Sequence, residues 1–151
     1  GGDEEIPTLG NAHVQDGTTS PIAYNSVPPT SGPHYGSIAN WGIYREPLRY
    51  EQILHNLEDG GVVIYYQCEE ECPEVVEQLE EVITPYVDAG RKIVLLPNVP
   101  TWTENNSQPL HQDMDALIAI TAWQRIDKYN EFEPSRVQAF IERYEGIDNH
   151  R

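Results

Sequence analysis

A chain of 151 residues holds one domain with a single core, and its 12 prolines and 11 glycines predict loops around a compact centre rather than a helical bundle. With 9 basic residues against 25 acidic ones the net charge is −16, which excludes nucleic acid as a partner and favours cations, metal ions included. No apolar run approaches the roughly 18 residues of a membrane span.

The opening Gly1-Gly2-Asp3-Glu4-Glu5 reads as the start of a mature form whose export signal or membrane anchor lies outside this sequence. We expect a disordered acidic leader over 1–12, a single globular domain over 13–146 and a frayed tail over 147–151, in which His150 is set aside. From His13 to Tyr50 the chain is dense in Pro, Gly, Ser and Asn yet carries Tyr24, Tyr35, Trp41, Tyr44 and Tyr50. Aromatic residues at that frequency need a surface to pack on, so this stretch is expected to wrap over the core.

The apolar runs Ile53–Leu57 and Gly61–Tyr66 flank Glu58-Asp59-Gly60, and an Asp-Gly between two such runs is a hairpin signal. A helix through Glu51–Asp59, placing His55, Glu58 and Asp59 on one face, is the competing reading. The β-branched and aromatic run Val62–Tyr66 is expected to be a central strand. Cys68 and Cys72 sit in a CxxxC spacing with three glutamates between them, which raises thiol pKa and argues against a reactive thiolate. A local disulfide in an oxidising compartment is expected, a soft-metal clip being the alternative.

Pro73 opens a helix to Val87, with Val75, Val76, Leu79, Val82, Ile83 and Tyr86 as its apolar stripe and Ala89-Gly90 as its end. Lys92–Pro97 is a second buried strand, so this region predicts a βαβ-like unit. Residues 97–112 form a polar loop, Met114–Trp123 reads as a strand, and Pro134–Tyr144 is a short amphipathic helix. The fold class is therefore α+β: one domain with a small mixed sheet, a βαβ-like unit, two main helices and a long aromatic-rich N-terminal wrap.

Two segments concentrate histidine within constrained backbone: Pro28-Pro29-Thr30-Ser31-Gly32-Pro33-His34-Tyr35 and His55-Asn56-Leu57-Glu58-Asp59-Gly60-Gly61. A ring fixed in position and tautomer is what a metal ligand or a proton-transfer group requires. Candidate metal ligands are His34, His55 and His111, with His13, Met114 and Glu58 in addition. Copper is expected first because it heads the affinity order for nitrogen ligands, and zinc second. A single methionine argues against a Met-rich Cu(I) shuttle. Two other readings stand beside this one: a hydrolase or isomerase with His34 or His55 as base and Glu58 as partner, and a partner-binding module built on Trp41 and Tyr44 with structural histidines. No G-x-S-x-G elbow or GxGxxG loop is present.

These two segments resemble the PPTSGPHY and HNLEHGG elements of an uncharacterised family of exported bacterial and archaeal proteins, usually carried behind an N-terminal anchor or signal. The resemblance spans about His13 to Tyr144 and includes Ala122-Trp123 and the last amphipathic helix. It implies an extracytoplasmic location and a histidine-bearing face, and supplies no reaction. Asp59 stands where that family typically has a second histidine. The site is then either shifted toward oxygen donors or has, at this position, a group that orients a ligating imidazole.

Overall fold

Stretches of Val, Ile, Leu and Tyr buried along their whole length have to lie between two covering layers, and Val62–Tyr66 is such a stretch. The computed structural model describes residues 3–105 and 107–150; Gly1, Gly2 and Arg151, part of the expected leader and tail, lie outside them. In chain order the elements are β1 (Glu4–Glu5), β2 (His13–Val14), β3 (His34–Tyr35), β4 (Gly42–Ile43), α1 (Tyr50–Glu58), β5 (Val62–Tyr66), α2 (Pro73–Asp88), β6 (Ile93–Pro97), β7 (Ile118–Ala122), β8 (Arg125–Tyr129) and α3 (Pro134–Tyr144). Six strands form one mixed sheet in the order β1-β8-β7-β5-β6-β4, and β2 pairs with β3 in a separate two-stranded ladder. The β5-α2-β6 segment is the expected βαβ unit, its strands parallel with Val62 opposite Ile93.

Alternation along the strands divides the core between the two faces. Ile64 and Tyr66 point with Ile93, Leu95 and Ile118 toward α2 and α3, meeting Leu79, Ile83, Val137 and Phe140. Val63 and Tyr65 point the other way, with Val94 and Leu96, onto α1 and the wrap. The domain is thus a three-layer α+β fold. Among the described residues no helix is long and apolar enough to cross a membrane.

Several expectations are corrected. The segment around His55 is a helix and not the first arm of a hairpin. Tyr50, Ile53, Leu54 and Leu57, at i, i+3, i+4 and i+7, make one apolar face that the sheet buries. Nine residues are too few for a stable isolated helix; burial of each large side chain, worth roughly 1.5–3 kcal/mol, holds it. Asp59-Gly60 is its stop: Gly60 N–H donates to the Leu57 carbonyl and Gly61 N–H to the Asn56 carbonyl, with Gly60 at φ 92°. With α1 beside the two main helices expected, α2 and α3, the described residues hold three. Strand β7 starts at Ile118 rather than Met114, and β8, which the sequence reading leaves unassigned, follows it through the turn at Trp123-Gln124.

The leader is also ordered from Asp3 onward. Glu4 and Glu5 pair with β8, Ile6 is buried, and Leu9 N–H donates to Ser31 Oγ. The wrap lies over the core, here on α1, fastened by Asn56, whose side chain accepts from Ala39 N–H and donates to the Ala39 carbonyl, both at 2.9 Å. Cys68 and Cys72 form a disulfide.

Gly61 tests this fit. A Cβ there would lie 2.6 Å from the Asn56 carbonyl oxygen and against the Trp41 ring. Gly61→Ala is expected to lower stability by roughly 1–3 kcal/mol in urea denaturation, and a midpoint unchanged at constant slope would contradict this packing.

Candidate metal centre

The last turn of α1 carries the centre. Its buried face holds Leu54 and Leu57 in the core, so His55 and Glu58, three residues apart, share the other side, beside Asp59. Over them lies the β2–β3 ladder, whose register sets His13 opposite His34. The ring centroids are 5.1 Å apart for His13 and His34, 5.3 Å for His34 and His55, and 5.6 Å for His13 and His55. One ligand atom from each of His13, His34, His55 and Glu58 can be chosen so that all lie within 4.8 Å of one another.

Backbone carbonyls set the tautomers. His34 Nδ1–H donates to the Gly32 carbonyl at 2.8 Å, and His55 Nδ1–H donates to the Tyr35 carbonyl at 2.7 Å. A neutral imidazole donates from one nitrogen only, so in that form each ring turns an Nε2 lone pair inward. The His34 Nε2 lies 3.1 Å from Glu58 Oε1, and the His55 Nε2 lies 3.5 Å from Asp59 Oδ1. His34 and Glu58 are both fully buried, and the other Glu58 oxygen accepts from Asn11 Nδ2 at 2.9 Å. His13 is exposed, at the outer rim.

The PPTSGPHY segment is what makes this possible. Its backbone is tied down by Tyr24 Oη donating to the Pro33 carbonyl at 2.6 Å, Gly32 N–H donating to Gly10 and His34 N–H donating to Ala12. The Trp123 ring meets His34 edge-on at 6.0 Å. A cleft of about 460 Å³, lined by Thr8, Gly10, Asn11, Trp123, Gln124 and Asn149, adjoins the centre where Asn11 holds Glu58.

Two of the candidate ligands lie elsewhere. His111 is buried with both nitrogens used: Nδ1 accepts from Val99 N–H at 3.0 Å and Nε2–H donates to the Leu48 carbonyl at 2.6 Å. Its ring stacks on Tyr50 at 4.3 Å. It is a core histidine that closes the loop after β6. Met114 is fully buried in the apolar cluster beneath α1, so no sulfur reaches the histidines.

The sequence reading also misses a participant. His150, set aside with the tail, has its Nε2 3.2 Å from Glu58 Oε1 and 3.3 Å from Asp59 Oδ1. The hydrogen bond to Asp148, with the nearby Glu58 and Asp59 charges, raises its pKa above the ordinary value. No local signal marks this residue. Its place comes from backbone bonds far along the chain, Gly146 N–H to Gly60 and Asn149 N–H to Glu58.

The family follows from nearly the whole length. The chain belongs to the family described as protein of unknown function DUF3105, which matches residues 13–150. No curated protein and no solved structure is similar enough to this chain to count as a match.

Burial pushes the His111 pKa down from 6.5 to about 4. Between those values the unfolded chain binds a proton that the folded one refuses, so stability is complete above pH 6.5 and falls as the pH drops toward 4. The shift corresponds to about 3 kcal/mol. Urea midpoints of the metal-free protein across this window are expected to fall more steeply for the native sequence than for His111→Gln. Parallel profiles would refute this account of His111.

Proposed function

We propose that this protein is an extracytoplasmic binder of a divalent transition-metal ion, held by His13, His34, His55 and Glu58. The observation that carries the reading is the meeting of ligand atoms from His13, His34, His55 and Glu58 within 4.8 Å of one another, with the Nδ1 of His34 and of His55 each bonded to a backbone carbonyl and its Nε2 turned inward. Lone pairs facing an anion repel unless positive charge lies between them. A proton on each Nε2 would set two imidazolium rings 5.3 Å apart, centroid to centroid; one divalent ion takes both nitrogens and Glu58 together.

Three imidazoles and a carboxylate are borderline to hard donors that suit Cu(II) and Zn(II). Copper is the first choice because it heads the affinity order for such a set, and zinc is second. With Met114 in the core, the centre is read as one for Cu(II) rather than Cu(I). The Cys68–Cys72 disulfide supports an oxidising, extracytoplasmic compartment, consistent with a membrane anchor or export signal outside this sequence.

Protein purified without a histidine tag and stripped with chelator is titrated with Cu(II) and with Zn(II) by calorimetry. Stoichiometric binding and a raised melting temperature are expected, because a ligand bound only to the folded state stabilises it, by about 2.7 kcal/mol at 100 times Kd. His34→Ala and His55→Ala are expected to weaken binding by more than the 10–100-fold that loss of an outer hydrogen-bond partner costs. Met114→Leu leaves affinity unchanged. Absence of binding, or binding indifferent to both histidine variants, ends this reading.

A further inference from the structure

The tail brings a second set of donors to the same place. Gly146 N–H donates to the Gly60 carbonyl at 2.8 Å and Asn149 N–H to the Glu58 carbonyl at 2.9 Å, so the segment after α3 is strapped across the end of α1. A Cβ on Gly60 would lie 3.0 Å from the Ile147 backbone, so the strap closes down on a residue with no side chain. The strap delivers His150. Its Nδ1–H donates to Asp148, the same arrangement that the Gly32 and Tyr35 carbonyls impose on His34 and His55, and its Nε2 faces both Glu58 and Asp59.

One ligand atom each from His55, Glu58, Asp59 and His150 also lies within 4.8 Å of the others. This group and the first share His55 and Glu58. An imidazole nitrogen binds one ion, whereas a carboxylate bridges two. Glu58 Oε1 lies 3.1 Å from the His34 Nε2 and 3.2 Å from the His150 Nε2.

Resting on the metal-binding reading above, we infer that the centre takes two divalent ions. The inner ion is held by His13, His34 and His55, the outer ion by Asp59 and His150, and Glu58 bridges them. Sites that share a carboxylate in this way hold their ions about 3.5–4 Å apart. The outer seat has two carboxylates and one imidazole, with its remaining positions turned to solvent, because the His150 side chain is 47% exposed. It is therefore the weaker and more exchangeable of the two. Asp59 acquires a direct role as its oxygen donor.

The stripped, untagged protein is titrated with Cu(II), following heat and the Cu(II) electron paramagnetic resonance signal. Two equivalents are expected: the first gives the spectrum of an isolated ion, and the second lowers the signal per ion as the two spins couple. His150→Ala and Asp59→Asn each remove the second equivalent and leave the affinity for the first within about threefold. Both residues lie at the surface end of α1, and a melting curve of each metal-free variant close to the native one shows the fold intact. A native protein that takes one equivalent only, or a second equivalent that survives both variants, overturns the two-ion inference and leaves the inner centre standing. No binding by the native protein overturns both.

Discussion

A carboxylate buried at the last residue of a helix is the constraint around which this domain is organised. Glu58 sits at the C-terminal end of α1, where the helix dipole is negative and an anion is disfavoured, and it is out of reach of water. Among the described residues no lysine or arginine forms an ion pair with it; its neighbours are the amide of Asn11 and the rings of His34 and His150. Four stretches of chain, the leader, the PPTSGPHY loop, α1 and the tail, thus converge on one charge. A buried carboxylate costs stability unless it is satisfied, and on the proposed reading a divalent cation would satisfy it.

The HNLEDGG segment shows how much one short sequence can be asked to do. His55 points into the centre, Asn56 grips the wrap through Ala39, Leu57 enters the core, and Glu58 is the buried anion. Gly60 and Gly61 then end the helix, and each leaves room for a neighbour, the tail at one and Trp41 at the other. The same ambiguity misleads a reading from sequence. Asp-Gly between apolar runs signals a hairpin turn, yet it is equally a helix stop, and the apolar face that decides the matter begins at Tyr50, which composition assigns to the wrap. The 3.6-residue period over Pro73–Asp88 and Pro134–Tyr144 has no such rival, and both helices are legible.

Site residues divide in the same way. His34 and His55 stand out because stiff local backbone surrounds them, while their Nδ1 partners are the carbonyls of Gly32 and of the distant Tyr35. His13, already a candidate, is placed by its ladder with His34, His150 is found only through bonds to α1, and His111 looks like a ligand until the loop after β6 closes over it. Local sequence reports how tightly a ring is held. What holds it, and what it faces, comes from contacts distant in the chain. The leader illustrates this too: Leu9, Gly10, Asn11 and Ala12 look disordered by composition, but each offers a backbone or side-chain group to the loop or to Glu58.

On the proposed reading the centre combines rigid ligands with yielding ones. His34 is sealed inside, pinned by Gly32 and backed by Trp123, whereas His13 and His150 lie at the rim on short strands and tail segments held by few bonds. A buried, oriented ring contributes affinity because little freedom is lost when the ion arrives. A rim ligand contributes a route, since it can leave and return without opening the core. Because the donors come from positions 13, 34, 55–59 and 150, an ion bound here also closes loops that span nearly the whole described chain. Metal affinity and folding stability are then two readings of one free energy. The surrounding negative field would draw cations toward such a centre without choosing among them, and on the proposed reading the choice falls to the fixed nitrogens inside.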